Sequence, residues 1–358
     1  RNPETAFGSI EDDCMRRDLT INALYTNIST GEIVDITGKG VDDIKNHIIR
    51  TPNDPDTIYD DDPLRILRCI RFASRYGWEI EYDTYEGMVR NVSRLEIITK
   101  ERVKDEFCKM LTCKHPIMAM ELLRKIGAMH YVIPELEETY SMTQNEYHFG
   151  TVWEHTMMVL EGTKDDNMIL RISALLHDIG KIRVCTEEDG KIHFLKHELK
   201  SGEMIDELLR PLKFSNEIIK EVTFLVRNHM ICKTWGSECE YMKDKKLRRF
   251  QYECKTEERF RNLMTIIDAD NNAYAADKCM PKQVEFILSR TEAMKAEGSA
   301  MFGYKLPLTG KEIMDLKGIK PGSAVKECLD YLMKIAFVNP LRKKEEFVKH
   351  LLGYRLQK

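Results

Sequence analysis

Asp61-Asp62-Pro63-Leu64-Arg65-Ile66-Leu67-Arg68-Cys69-Ile70-Arg71-Phe72 decides how the rest of the chain is read. Pro63 suits the first turn of a helix, where its missing N–H would have no partner anyway. Asp61 and Asp62 then stand at the positive end of the helix dipole. Asp62, Arg65, Arg68 and Arg71 recur every third position. Each step advances the helix by roughly 4.5 Å and shifts the side chain by about 60°. The result is a slanted polar ridge, with Leu64, Leu67, Ile70 and Phe72 supplying apolar surface. A carboxylate and a guanidinium one turn apart can offer an acceptor and forked donors to a nucleobase edge, and further guanidiniums can grip a phosphate chain. An amphipathic helix with a solvated basic face would show the same periodicity, so other segments must decide.

At 358 residues the chain is too long for one ordinary core, and two or more domains are expected. Hydrophobic content of 42% marks a globular protein, and the 32% charged fraction, much of it at helical spacing, a mostly α one. A net charge of −4 leaves any nucleic-acid contact to local patches. The ten cysteines include no C-x-x-C pair, and no apolar run is long enough to span a bilayer. A reducing cytoplasm is the expected compartment.

Outward from the arginine ridge, residues 1–50 mix short strand-like runs (Thr5–Ile10, Glu32–Ile36) with a helix expected from about Asp12 to Tyr25. Residues Pro52 to Asp56 read as a loop, since positions before proline are pushed away from helix. Helical periodicity dominates from Pro63 onward. Lys243–Arg249 reads as a solvated basic face, and Gly318-Ile319-Lys320-Pro321-Gly322 as a link between two helices of a last module.

Glu11-Asp12-Asp13-Cys14-Met15-Arg16-Arg17-Asp18-Leu19-Thr20-Ile21-Asn22-Ala23-Leu24 sets an Arg-Arg-Asp triplet ahead of an apolar stripe, and Glu101-Arg102-Val103-Lys104-Asp105-Glu106-Phe107 follows the ridge. In order and spacing, these three segments together closely resemble the class II tRNA nucleotidyltransferase and bacterial poly(A) polymerase family. The resemblance implies addition of C, C and A to tRNA 3′ ends from CTP and ATP. It implies that Asp62 and Arg65 read the base edge, with Asp61 where the family more usually has Glu, and that Arg68 and Arg71 hold the triphosphate. Arg16 or Arg17, with Asp18, would reach ribose or phosphate, and Glu101 and Arg102 would brace the base-reading helix. A fixed carboxylate–guanidinium pair satisfies C and A and leaves G or U with unmade hydrogen bonds, a costly mismatch.

The family's glycine-rich loop and Asp-x-Asp pair, which holds Mg2+, lie upstream of the triplet, where nothing before Arg16 supplies them. Residue 1 is Arg, so an amino-terminal part is expected to be missing, and the chain as given is expected not to transfer nucleotides.

His155, His177-Asp178, His197, His229 and Asp270 follow one another in the order H…HD…H…H…D. That order resembles the HD phosphohydrolase superfamily. Imidazole and carboxylate suit a first-row divalent ion such as Mn, Fe, Co, Ni or Zn. His155, His177, Asp178 and Asp270 would complete one site, with His197 and His229 permitting a second ion. Asp178 would be catalytic as well as ligating, and Lys181 could steady a phosphate oxygen. Asp268 competes with Asp270, since two residues apart on a helix they face different ways. His115, His130, His148, His193 and His350 read as structural.

The expected architecture is mostly α. A remnant of an α/β nucleotidyltransferase head (1–60) precedes a helical neck and body (61–144), an HD domain (145–290) and a helical tail (291–358) in which Lys317 and Lys320 would approach tRNA. Poly(A) polymerase, a metal-dependent phosphohydrolase with a vestigial nucleotide half, and a non-catalytic RNA-binding module are the alternatives.

Overall fold

The computed structural model describes residues 8–145, 150–163, 166–274, 276 and 278–356. Thr5–Phe7 and His148 therefore lie outside the described residues. The chain divides into two units, Arg1–Asn228 with Ala273–Asp277, and His229–Asn272 with Lys278–Lys358.

The first unit opens with helix α1 (Ile10–Met15), started by a capping box. The Ser9 hydroxyl accepts from Asp12 N–H (3.1 Å), and the Asp12 carboxylate accepts from Ser9 N–H (2.9 Å). The helix expected to reach Tyr25 stops at Met15. Tertiary bonds override the periodicity here: Thr20 N–H donates to the Arg50 carbonyl (2.9 Å) instead of a helical partner, and its hydroxyl to buried Asp43 (2.7 Å). A 3-10 turn (Thr20–Asn22) leads into strand β1 (Leu24–Thr26), which pairs antiparallel with β2 (Ile33–Asp35). After α2 (Gly40–Asn46), β3 (Ile48–Ile49) runs parallel to β4 (Glu79–Ile80).

The expected loop over Pro52–Asp56 gives way at Pro55 to helix α3 (Pro55–Asp61), with Asp54 as its cap accepting from Thr57 N–H at 3.3 Å. Helix α4 (Leu64–Tyr76) follows, with Pro63 just outside it and Gly77 (φ 72°) ending it. Asp61 therefore closes α3 rather than opening α4, while the Asp62 carboxylate accepts from Leu64 N–H (3.2 Å) at the start of α4. Leu64, Ile66, Leu67, Cys69, Ile70 and Ala73 form its buried face. Phe72 does not belong to that face; it is only partly covered.

Helices α5 (Tyr82–Asn91), α6 (Lys100–Leu111) and α7 (Pro116–Lys125) pack around α4 or the helices beside it. The HD-like part follows: α8 (Val152–Gly162), α9 (Met168–Leu176), short α10 (Lys181–Val184), a hairpin of β5 (Thr186–Glu188) and β6 (Lys191–His193), α11 (His197–Leu209) and α12 (Asn216–Asn228).

The second unit contains α13 (Asp244–Cys254), α14 (Glu257–Asn272), α15 (Gln283–Ala296), α16 (Gly310–Lys317), α17 (Ser323–Val338) and α18 (Lys344–Gly353). Ile313, Cys328, Leu332, Phe347 and Leu351, all fully buried, tie the last three together. The basic stretch at 243–249 is not wholly solvated. Arg248 is buried and donates to the Val338 carbonyl (2.9 Å), because its long stem crosses from α13 to the end of α17. No helix among the described residues is long and apolar enough to cross a membrane, and the ten cysteines are free thiols.

Candidate functional site

The Arg-Arg-Asp triplet, α4 and the start of α6 meet around a cavity of about 610 Å3 in the first unit. Arg16, Arg17, Asp18 and Asn22 line it from the head; Asp62, Leu64, Arg65, Arg68 and Phe72 from α4 and its entry; Arg102 from α6. Seven of the ten residues expected to bind nucleotide are thus brought together. Three are not among its lining: Asp61, Arg71 and Glu101.

Each polar wall group is held by a partner. Arg68 gives two N–H groups to Asp18 (Nη2 2.6 Å, Nε 2.7 Å). Asp18 is itself fixed by Leu19 N–H (3.0 Å) and the Asn22 amide (3.1 Å). Asp62 pairs with Arg102 at 2.7 Å, not with Arg65. Arg65 donates to the Ile58 carbonyl (2.9 Å) and lies 3.7 Å from Asp61. A guanidinium carries five donors, so each arginine retains N–H groups for a ligand. Arg71 instead faces Glu106 (2.5 Å).

Asp13, which sequence reasoning did not single out, anchors the head side. It takes Arg16 and Arg17, each at 2.7 Å. The hydroxyl of Tyr25, then Arg17 and Arg16, hold its carboxyl well below the usual range, so it stays ionised. Asn22 and Phe72 were also missed as wall residues. Asn22 lies four positions after Asp18, a helical spacing that was available as a signal, whereas Phe72 read as core.

The second constellation lies farther along the same unit. His155 from α8, His177 and Asp178 after α9, and His197 at the start of α11 surround one buried carboxylate. His177 Nε2 is 3.2 Å from Asp178 Oδ2, His155 Nε2 3.5 Å from the same oxygen, and His197 Nε2 3.1 Å from Oδ1. The opposite nitrogen of each ring meets a backbone carbonyl: His155 Nδ1 that of Ala273 (3.2 Å), His177 Nδ1 that of Ala174 (2.8 Å), His197 Nδ1 that of Phe194 (2.9 Å). A carbonyl can only accept, so Nδ1 carries the proton and Nε2 points its lone pair inward. Two such nitrogens, on His155 and His177, stand 3.3 Å apart. The His155 and His177 nitrogens and Asp178 Oδ2, all within 3.5 Å of one another, fit a divalent first-row ion.

Burial alone would raise the Asp178 carboxyl, but the Lys181 ammonium beside it helps to hold it well below its ordinary value. Lys181 is buried, its Nζ 2.7 Å from Asp178 Oδ2 and 2.6 Å from Gln144 Oε1. Gly180 has a spatial reason. A Cβ there would stand 2.4 Å from Ser201 N and 2.5 Å from the His197 carbonyl oxygen, so only glycine lets α11 approach. Ser201 Oγ accepts from Gly180 N–H at 2.8 Å.

His229 and Asp270 belong to the second unit, and both are buried. Asp270 lies 2.9 Å from Lys233 Nζ, whereas Asp268 is partly exposed and accepts from the Asn272 amide (3.2 Å). In the tail, Lys317 donates to the Tyr354 carbonyl (2.8 Å) and Lys320 is exposed.

An arginine-lined cavity followed by a buried His/Asp cluster is the arrangement expected of a nucleotidyltransferase with an appended HD domain. Three family models match: "Poly A polymerase head domain" over 1–50, "Probable RNA and SrmB- binding site of polymerase A" over 77–139, and "HD domain" over 145–271. In these three segments the chain is similar to the class II tRNA nucleotidyltransferase and poly(A) polymerase family.

An A-adding tRNA nucleotidyltransferase of Deinococcus radiodurans is 28% identical, the match covering 90% of this chain and 74% of that protein. A CC-adding tRNA nucleotidyltransferase of Thermus thermophilus is also 28% identical, over 97% and 78%. The Multifunctional CCA protein of Neisseria gonorrhoeae is 33% identical over 62% of this chain and 54% of that protein. The fold is similar to that of the Bacillus stearothermophilus CCA-adding enzyme in complex with CTP (TM-score 0.67, 22% identity, 97% of this chain and 75% of that one). It is also similar to that of the Thermotoga maritima CCA-adding enzyme complexed with tRNA (TM-score 0.56, 19% identity, 96% and 73%).

Proposed function

We propose that this chain carries the nucleotide-selecting and RNA-binding parts of an enzyme that extends tRNA 3′ ends with C and A, using CTP and ATP. The convergence of Arg16, Arg17, Asp18, Asp62, Arg65, Arg68 and Arg102 on one cavity carries the reading. These residues come from three segments up to 86 positions apart, and a merely solvated basic face would not gather them.

In the proposed mechanism, Asp62 and Arg65 present an acceptor and donors to the base edge. Arg102, by pairing with Asp62, sets the angle of that acceptor. Arg68, fixed by buried Asp18, and the Asp13-anchored arginines face the phosphates. Selection comes from preset protein groups, so a base that leaves one of them unpaired is rejected. Mg2+ serves nucleotidyl transfer in this reading. The A-adding, CC-adding and multifunctional relatives support tRNA as the acceptor over poly(A) synthesis.

Calorimetry with the four nucleoside triphosphates tests it. CTP and ATP should bind and GTP and UTP should not, and Arg65→Ala should narrow the difference about tenfold or more, close to one lost charged hydrogen bond. Equal binding of all four to the unaltered protein refutes the reading.

The HD-type cluster supports a second activity, phosphohydrolysis of 2′,3′-cyclic phosphates or related phosphoesters. His155, His177 and Asp178 would hold a Mn, Ni, Co, Fe or Zn ion, and His197, on the other oxygen of Asp178, would serve a second one. A bound ion acidifies water and so supplies a nucleophile near pH 7. Lys181 keeps Asp178 ionised and in place.

A further inference from the structure

Helix α4 carries its arginines past the nucleotide cavity into another one. Arg71, Arg75, Lys109, Thr112, Cys113 and Lys114 line a cavity of about 560 Å3 between α4 and the end of α6. One buried carboxylate serves two of the four cations: Glu106 meets Arg71 at 2.5 Å and Lys109 at 3.1 Å. Arg75 and Lys114 are exposed and make no ion pair among the described residues. The lining thus presents four positive groups, one neighbouring carboxylate, and neither an acid nor an aromatic ring of its own with which to read a base.

Such a wall suits a phosphate group, with the guanidinium forks giving paired donors and the ammonium groups adding point charge. Arg71 follows Arg68 by roughly 4.5 Å along α4. The phosphate gripped here therefore lies beside the nucleotide, yet on a face turned away from the residues that read it.

We propose that this cavity holds a backbone phosphate of the RNA strand that receives the nucleotide. The assignment rests on the reading of RNA as substrate. It adds a specific subsite, built by Arg71, Arg75, Lys109 and Lys114, that sets the strand's position.

The test uses the double variant Arg75→Ala/Lys114→Ala, whose two side chains are exposed and lie outside the nucleotide cavity. Filter binding of a tRNA lacking its terminal CCA is measured from about 50 to 200 mM salt, a range over which phosphate contacts dominate. Calorimetry with CTP and a thermal melt accompany it. The variant should melt like the parent, bind tRNA roughly tenfold more weakly at low salt, and lose between about one and two units of the slope of log K against log salt. CTP affinity should not change, and Arg75→Lys/Lys114→Arg should restore binding.

If the parent binds tRNA and the variant keeps both affinity and slope, the subsite is refuted while RNA remains the substrate. Lost affinity at unchanged slope also refutes it. A matching loss of CTP affinity would place the nucleotide's own phosphates in the cavity and overturn the assignment. A parent that does not bind tRNA at all removes the underlying reading as well.

Discussion

Arg65, Arg68 and Arg71 are spaced alike, yet they are held in three different ways: by a backbone carbonyl, by the Asp18 carboxylate and by Glu106. The cause is in the arithmetic of the helix. Steps of three fall short of a full turn by about 60° each, so Arg71 stands about 120° round from Arg65. A ridge that looks continuous in the sequence therefore leaves the nucleotide cavity after two arginines. Arg71 and Glu106 are both largely shielded from water, and removing one member of such a pair strands the other. Arg71→Ala should cost about 3 kcal/mol in denaturant unfolding, near the low end for a buried pair because Lys109 still meets Glu106. CTP affinity should change little. A stability close to the parent's with a large loss of CTP affinity would reverse the assignment. Phe72 and Asp13 were not legible as wall residues, because which side of the backbone faces the cavity depends on where the Arg-Arg-Asp turn folds.

Among the elements, the HD turn shows how a short motif gains its geometry. The order of His and Asp residues was readable from His155 to Asp270, but not the carbonyls of Ala174, Phe194 and Ala273 that orient the rings, since any residue has a carbonyl. Gly180, two residues after Asp178, was not legible as a packing residue; its reason is that a Cβ there would stand 2.4 Å from Ser201 N of α11. Gly180→Ala should push α11 aside and cost about 1–3 kcal/mol, as overpacking does. Mn2+ affinity should fall with it, by roughly 10–100-fold, as when outer contacts of a metal site are lost. Unchanged unfolding and metal titrations would count against the close-approach argument.

Helix α3 was missed although Asp54-Pro55 is a cap followed by a first-turn proline, because a proline was read only for what it does to its predecessor. The α1 helix was overextended for the opposite reason: nothing local announces that Thr20 will bond to Arg50.

Helix α16 offers a test in acid. Lys344, then the Thr309 backbone N–H and hydroxyl, lower the Glu312 carboxyl from 4.5 to about 2. A lowered folded value means stability that is present above pH 4.5 and lost as the pH falls toward 2. The stability advantage of the parent over Lys344→Met should be constant above pH 4.5 and shrink to nothing near pH 2, followed by urea unfolding at each pH. An advantage that grows on acidification would contradict the sign.

At the scale of the whole molecule, the mostly helical architecture was legible because amphipathic periodicity persists from Pro63 to the end, and the order of head, RNA-binding and HD segments agrees with the three family matches. The division of the described chain at Asn228 was not, since it falls at the end of a helix rather than in a Gly- or Pro-rich linker. Metal removal tests the molecule as one system. An ion bound to the folded state adds RT ln(1 + [M]/Kd), about 2.7 kcal/mol at a hundredfold excess over Kd. Chelation should lower the melting temperature and abolish hydrolysis of a 2′,3′-cyclic nucleotide. His177→Ala should match the chelated parent and respond no further to chelator. Hydrolysis that survives both would exclude the HD cluster as its source.

Helix α4 is one unbroken rod of 13 residues, about 20 Å from end to end. If one end grips the incoming nucleotide and the other the growing strand, the interval between those grips cannot stretch. Making room for the next addition then falls to the RNA, which must slip or buckle against a ruler that does not move.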